Sequence, residues 1–265
     1  MRILRKCFYY VWSVIEMLAG FRSWGTLFKL FLGKPTRRLY WLQFWHKPLK
    51  IAVRGKMDAW SVKECFLDRF YTRYGREIGE DWTVVDIGAA IGEFTVLAAQ
   101  AAKSGKVFAF EPNPESLDIL KENINANNIN NVVMFNLGMW DKPGQLELDL
   151  SGNEPLQAQS IETAASRNTH HPVQAISLEQ LTLEYVMECI DLLKLDCEGA
   201  EYKILLPAGQ ETMQRIKRIV MEYHDLDSVN NHQALVDFLV KQGYKITFHS
   251  NPVHQELGYL FAEQS

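Results

Sequence analysis

Two short stretches carry the side chains best suited to chemistry. In DLLKLDCEGAEY, Asp196 and Glu198 stand two residues apart just after a buried apolar run, with Lys194 ahead of them. In IKRIVMEYH, a second apolar run delivers Glu222, Tyr223 and His224. A carboxylate at such a strand end can orient an acceptor hydroxyl or take its proton, and a histidine titrating near neutral pH suits the same task. Glu198 is expected in the first turn of the following helix, either capping it or holding substrate. The plainer alternative is that Asp196 orders a turn and His224 fills a strand end.

A third stretch, TVVDIGAAIGEFTVLAAQ, points to a ligand. Thr83, Val84 and Val85 read as a buried strand ending at Asp86. Gly88 and Gly92 bracket a tight turn, and Glu93 and Phe94 open a helix whose first N–H groups face outward. About nineteen residues after Gly92 the strand KVFAF ends in Glu111, followed by Pro112 and Asn113. That is the offset at which nucleotide-binding folds place an acid on ribose hydroxyls. The dinucleotide fingerprint is broken, because Ala90 stands where a second glycine would let a pyrophosphate lie on the backbone. With Asp86 close by, the ligand is expected to be zwitterionic or cationic rather than a diphosphate. S-adenosylmethionine fits: an adenosine with a carboxylate, an ammonium and a sulfonium. The bland alternative is that the glycines merely tighten a strand–helix turn.

With these residues in view, the chain resembles the FkbM family of S-adenosylmethionine-dependent methyltransferases. The matching pieces are VVDIGAAIGEFT, VFAFEPNPESLDILKENINANN, NLGMWDKPG, LLKLDCEGAEYKIL and RIVMEYH, in the family's order, from about Asp58 to His224. One departure is Ala90, where the family often carries a polar residue. The resemblance implies an α/β, Rossmann-like class I methyltransferase fold: a seven-stranded, mostly parallel sheet closed by a C-terminal antiparallel hairpin. It implies cofactor contacts at Asp86, Gly88, Ala90, Gly92, Glu93, Phe94, Glu111, Pro112, Asn113 and Asp196, with Asn136 and Leu137 flanking the adenine. Asp196, Glu198 and His224 are the catalytic candidates. The family precedent is O-methylation of small hydroxylated molecules, and a glycan or lipid-linked sugar is the preferred acceptor here. N-methylation, or a catalytically silent scaffold of the same fold, are the rivals.

The elements that must position these residues follow the same pattern. Strands are expected at Lys50–Val53, Val132–Asn136, Gln145–Leu150, Asp191–Leu195 and Ile216–Tyr223, with a terminal pair at Tyr244–His249 and Leu257–Ala262. Asp58–Tyr74 reads as one amphipathic helix stopped by Gly75, its Trp60, Phe66, Phe70 and Tyr71 serving the core. Residues 151–172 read as a polar loop carrying His170 and His171, and long loops of that kind are often lids. Asp196, Glu198 and Glu222 could gather a divalent cation, but oxygen ligands leave no spacing signature, and no metal is expected.

Composition bounds the rest. Of 265 residues, the first fifty hold ten Lys or Arg against one acid, Glu16, so this segment is +9 within a chain of net charge −4. It also holds twelve of the 31 aromatics. Residues 1–49 are therefore set apart as a basic, helical, aromatic extension, and residues 50–265 as the methyltransferase domain. Residues 1–34 are expected either to bind an anionic membrane surface or to cap the domain. Cys7 to Phe21 is too short and too charged to span a bilayer. Cys7, Cys65, Cys189 and Cys197 form no C-x-x-C pair and read as reduced thiols, so a cytoplasmic or inner-face location is expected. The acidic catalytic portion argues against nucleic acid as a partner.

Overall fold

The computed structural model describes residues 2–33, 38–73, 77–149, 159–161, 170–185, 189–251, 253–254 and 256–265. Helices α1 (Arg2–Gly20) and α2 (Trp24–Leu32) precede an antiparallel pair, β1 (Tyr40–Gln43) and β2 (Lys50–Val53). Helix α3 (Lys56–Lys63) runs into a π-turn at Glu64–Asp68. Then come β3 (Thr83–Ile87), α4 (Glu93–Ala101), β4 (Lys106–Phe110), α5 (Pro114–Ala126) and β5 (Val132–Phe135). Strands β6 (Gly138–Trp140), β7 (Gly144–Asp149), β8 (Gln159–Ile161) and β9 (His170–Ser177) follow, with a short α6 (Leu178–Gln180) and a second π-turn at Leu181–Tyr185. The chain closes with β10 (Leu192–Leu195), α7 (Glu201–Leu205), α8 (Gln210–Gln214), β11 (Arg218–His224), α9 (His232–Lys241), β12 (Tyr244–Ser250) and β13 (Leu257–Gln264).

Seven strands form the main sheet in the order β12-β13-β11-β10-β3-β4-β5. From β11 to β5 all pairings are parallel, and β13 runs antiparallel to both β11 and β12. The central strands are near-continuous apolar runs because helices cover both faces of a parallel sheet. Successive residues serve opposite faces. Val84 packs in one core with Phe94, Val107 and Leu120, while Val85 packs in another with Leu193, Met221 and Leu260. Phe21, Leu27 and Leu42 belong to the first of these cores, and the boundary at residue 49 falls between the paired strands β1 and β2.

Three expectations need correction. The helix from Asp58 does not run on toward Tyr74: it widens into the π-turn and breaks at Arg69, whose φ is 60°. Tyr74 and Gly75 lie outside the described residues. The polar stretch 151–172 is not simply a loop, since β8 and the start of β9 lie in it and both pair with β7. Its residues 151–158 and 162–169 lie outside the described residues. His170 and His171 thus stand on a strand, opposite Asp149 and Leu148. β8 is a three-residue edge strand and β9 opens on two histidines and a proline, so apolar periodicity could not reveal either start. Finally, α7 begins at Glu201 rather than at Glu198, because Glu198 and Gly199 take left-handed φ values of 52° and 99°.

Candidate active site

The chain leaves β3 for β4 and β5 on one side, then returns to β10 and β11 on the other. The strand order therefore reverses between β3 and β10, and a crevice opens beyond their carboxyl ends. A cleft of about 620 Å³ occupies it, within the range of about 300–1,000 Å³ usual for small-molecule sites. The four-stranded sheet β6-β9-β7-β8 supplies one wall through Met139, Trp140, Leu146 and Leu148.

On the floor, β3 and β10 meet at an ion pair. Asp86 and Lys194 stand opposite each other in the strand register, with Nζ 3.0 Å from Oδ1 and exposures of 0% and 3%. Thr95 Oγ1 also donates to Asp86 Oδ2 at 2.6 Å, and Lys194 donates to the Gly88 carbonyl at 2.8 Å. Burial opposes the charge on Lys194, but Asp86 and then Asp196 outweigh it and hold the ammonium charged. Asp86 is thus spent beneath the cleft and does not line it. Gly88, with φ 73°, sits so close to β10 that a Cβ there would come within 2.0 Å of the Asp196 carbonyl oxygen.

Glu111 fastens the glycine turn. Its Oε2 accepts from the Ala90 N–H and its Oε1 from the Asn113 N–H, both at 2.8 Å. Ala90 is thereby held at φ 47°, in the left-handed region. A carboxylate has about four acceptor positions, so Glu111 keeps capacity for ribose hydroxyls. Burial, only partly offset by the two amide hydrogen bonds, pushes its pKa up to about 7. Glu93 lines the cleft beside it at 7% exposure. Its Oε1 accepts from Ser61, while its buried Oε2 has no hydrogen-bond partner among the described residues. Burial raises Glu93 to about 7 as well. An adenosine ligand that also carries positive charge suits this pair of carboxylates.

Gly88, Ala90, Glu93, Glu111, Pro112, Leu137 and Asp196 line the cleft as the sequence suggested, and so do Glu198 and His224. Five other expected contacts stand behind it. Besides Asp86, Gly92 caps α4 against Leu120, and Phe94 is buried in the core. Asn113 caps α5 by accepting from the Glu115 N–H. Asn136 donates to the Glu111 and Pro112 carbonyls at 2.9 and 2.8 Å, bracing the loop that carries Glu111.

The catalytic candidates meet at the ends of β10 and β11. Tyr71 Oη donates to Asp196 Oδ2 at 2.6 Å, and Lys194 Nζ lies 3.9 Å from the same oxygen. His224 Nδ1 is 3.3 Å from Glu201 Oε1, and its Nε2 is 3.5 Å from Glu198 Oε2. Burial alone would lower the His224 pKa, but Glu201, then Asp196 and Glu198, outweigh it and raise it to about 10. These carboxylates favour the imidazolium form of His224, which weighs against the role of base that its ordinary pKa suggested. Glu222 is pushed well above the usual carboxylate range by burial and by Asp196 and Glu64. Glu64, raised to about 8 mainly by burial, faces the same cleft. One ligand atom each from Asp196, Glu222 and His224 lies within 4.8 Å of the others, a spacing open to a cation once His224 gives up its proton.

Sequence reasoning missed Glu64, Tyr71 and Tyr259 as cleft residues. The break at Arg69 is what returns Tyr71 to the cleft, and Tyr259 comes from the strand antiparallel to β11. Neither has a local sequence signal.

The raised groups give a direction for stability. For Glu93, Glu111, Glu64 and His224 the folded pKa lies above the ordinary value, so each contribution is complete at low pH and is lost as pH climbs through about 7, 8 and 10. The unfolding temperature of the ligand-free protein is expected to fall between pH 6 and pH 9. A rise measured by differential scanning calorimetry would contradict these environments.

Comparison with known proteins gives the family. The model for the Methyltransferase FkbM domain matches residues 86–246. AMB antimetabolite synthetase AmbE of Pseudomonas aeruginosa is 28% identical over 70% of this chain, although the match spans only 10% of that protein. The 31-O-demethyl-FK506 methyltransferase FkbM of Streptomyces tacrolimicus is 24% identical, covering 72% of this chain and 83% of the relative. Hexuronic acid methyltransferase AglP of Haloferax volcanii is 26% identical, covering 66% and 70%. The crystal structure of methyltransferase FkbM from Methylobacillus flagellatus shares the fold, with a TM-score of 0.52 at 13% identity over 76% of this chain and 47% of that one. The chain belongs to the FkbM family of methyltransferases, and S-adenosylmethionine is its methyl donor.

Proposed function

We propose that the protein methylates a hydroxyl oxygen on a sugar, glycan or other small polyhydroxylated molecule. The observation that carries this reading is the Asp196 carboxylate, aimed into the cleft and hydrogen-bonded by Tyr71, with Glu222 beside it. Glu111 and the turn at Gly88–Ala90 hold the adenosine end of the donor, and Glu93 faces its positive charge. S-adenosylmethionine supplies an electrophilic methyl group. Asp196 orients the acceptor hydroxyl and receives its proton, and Glu222, with its raised pKa, can share it. His224 stays protonated and offsets the crowded carboxylates. Trp140, Leu146 and Leu148 exclude water, and positioning supplies most of the rate. Two relatives point the same way by name, one to an O-demethyl substrate and one to a hexuronic acid.

A nitrogen acceptor is the second reading, favoured by the carboxylates Glu64, Asp196, Glu198 and Glu222 that line the cleft with His224. Incubation with methyl-labelled donor and a panel of glycosides and amines, read by carbon NMR of the products, separates them. O-methyl products confirm the proposal, and exclusive N-methyl products overturn it.

A membrane role for residues 1–34 belongs to the same proposal. Phe8, Val11, Trp12 and Ile15 recur at helical spacing on α1 and are all exposed, with Phe8 and Trp12 stacked at 6.5 Å. Among the described residues no helix is long and apolar enough to cross a membrane. Such a face with basic neighbours suits the surface of an anionic bilayer. Co-sedimentation with anionic vesicles should be lost in Phe8→Glu/Trp12→Glu, and unchanged sedimentation would count against the idea.

A further inference from the structure

A second cavity, of about 570 Å³, lies between α1, α2 and α3. Val14, Met17 and Leu18 form one side, and Leu27, Phe28 and Phe31 the other. It is not isolated. Met57, Trp60, Glu64, Asn251 and His254 line both this cavity and the active-site cleft, so the two spaces meet at these side chains. At that junction Trp60 Nε1 donates to Glu64 Oε1 at 2.9 Å.

The character of the lining changes along this path. Away from the cleft the groove is aliphatic and aromatic and opens past the exposed Phe28 and Phe31. At the junction it becomes polar, through Glu64, Asn251 and His254, and beyond it stand Asp196 and Glu222. Phe28 and Phe31 of this lining are left exposed among the described residues. A ligand matching this gradient has an apolar chain at one end and hydroxyls at the other.

We infer that the groove is the acceptor's tail site: the substrate is a single amphipathic molecule, a sugar carrying an alkyl or isoprenoid chain, with the chain between α1 and α2 and a hydroxyl at Asp196. This rests on the hydroxyl-methylation reading and adds the substrate class. Recognition of the chain is expected to draw on apolar burial, so affinity grows with chain length.

The test is calorimetric titration of the full chain, saturated with S-adenosylhomocysteine, by n-decyl glucoside below its critical micelle concentration and by glucose. Decyl glucoside should bind at least tenfold more tightly than glucose. Val14→Glu, which puts a charge on a groove residue already 51% exposed, should lose that difference. Phe8→Glu, 72% exposed and outside the groove, should keep it. Equal binding of the two sugars, or equal loss in both variants, overturns the tail site, the latter by showing adsorption to the outer face of α1. Failure of S-adenosylhomocysteine to bind would instead sink the methyltransferase reading, and chain binding measured without it would still report on the groove.

Discussion

Asp196→Asn lowers kcat by roughly 10²–10⁴-fold, the usual worth of a positioned acid–base group, while S-adenosylhomocysteine affinity changes by less than about tenfold. The amide keeps the size of the carboxylate and can still accept from Tyr71, so the cleft keeps its shape. What it loses, on the proposed mechanism, is the capacity to take a proton from the acceptor. The alternative base, His224, is biased toward its protonated form, because Glu201, Asp196 and Glu198 outweigh its burial and raise it to about 10. Glu222, the remaining neighbour, gives residual turnover rather than rescue. Single-turnover rates with saturating donor, paired with calorimetry, separate the chemical step from binding. Wild-type kcat in this variant would remove Asp196 from the reaction and reopen the question of which carboxylate is the base.

Lys194→Met destabilises the protein by about 3–5 kcal/mol, the usual consequence of leaving one member of a buried ion pair unmatched. Asp86 is fully buried and its neutralisation rests on Lys194 at 3.0 Å, with one further hydrogen bond from Thr95. The same ammonium ties the Gly88 carbonyl to β10, so the cofactor turn also loosens. Chemical denaturation of the single variant and of Asp86→Leu/Lys194→Met provides the check. The double variant should recover much of the loss, since an apolar pair of similar volume is often neutral in such a position. Equal destabilisation in both would show that the ion pair is not what the strands depend on here.

The cofactor end of the cleft was legible in the sequence because its signals are local. Thr83–Ile87, the turn at Gly88 and Gly92, and Glu111 at the end of KVFAF lie within thirty residues, and strand period and glycine placement suffice to order them. Asp86 was misread for the opposite reason. Its partner Lys194 sits on a strand distant in sequence, and only the β3–β10 register brings the two face to face. The environment of His224 was hidden in the same way: its type suggested a base, but three carboxylates from the β10–α7 segment bias it toward the charged form. Tyr71 and Glu64 were absorbed into an amphipathic helix, because apolar spacing cannot show that the helix widens at Glu64 and breaks at Arg69. Of the second sheet only β7 was legible, as the alternating run Gln145–Leu150, because β8 and β9 begin in a stretch without alternation.

Whether this cleft holds S-adenosylmethionine through Glu111 is tested most directly by calorimetric titration with S-adenosylhomocysteine on wild type and Glu111→Ala. Micromolar binding is expected, weakened by the substitution about tenfold or more, about 1.4 kcal/mol, because the variant loses both the ribose acceptor and the anchor for the Ala90 and Asn113 amides. Equal affinity in the two proteins, or no binding by a folded wild type, would contradict this assignment.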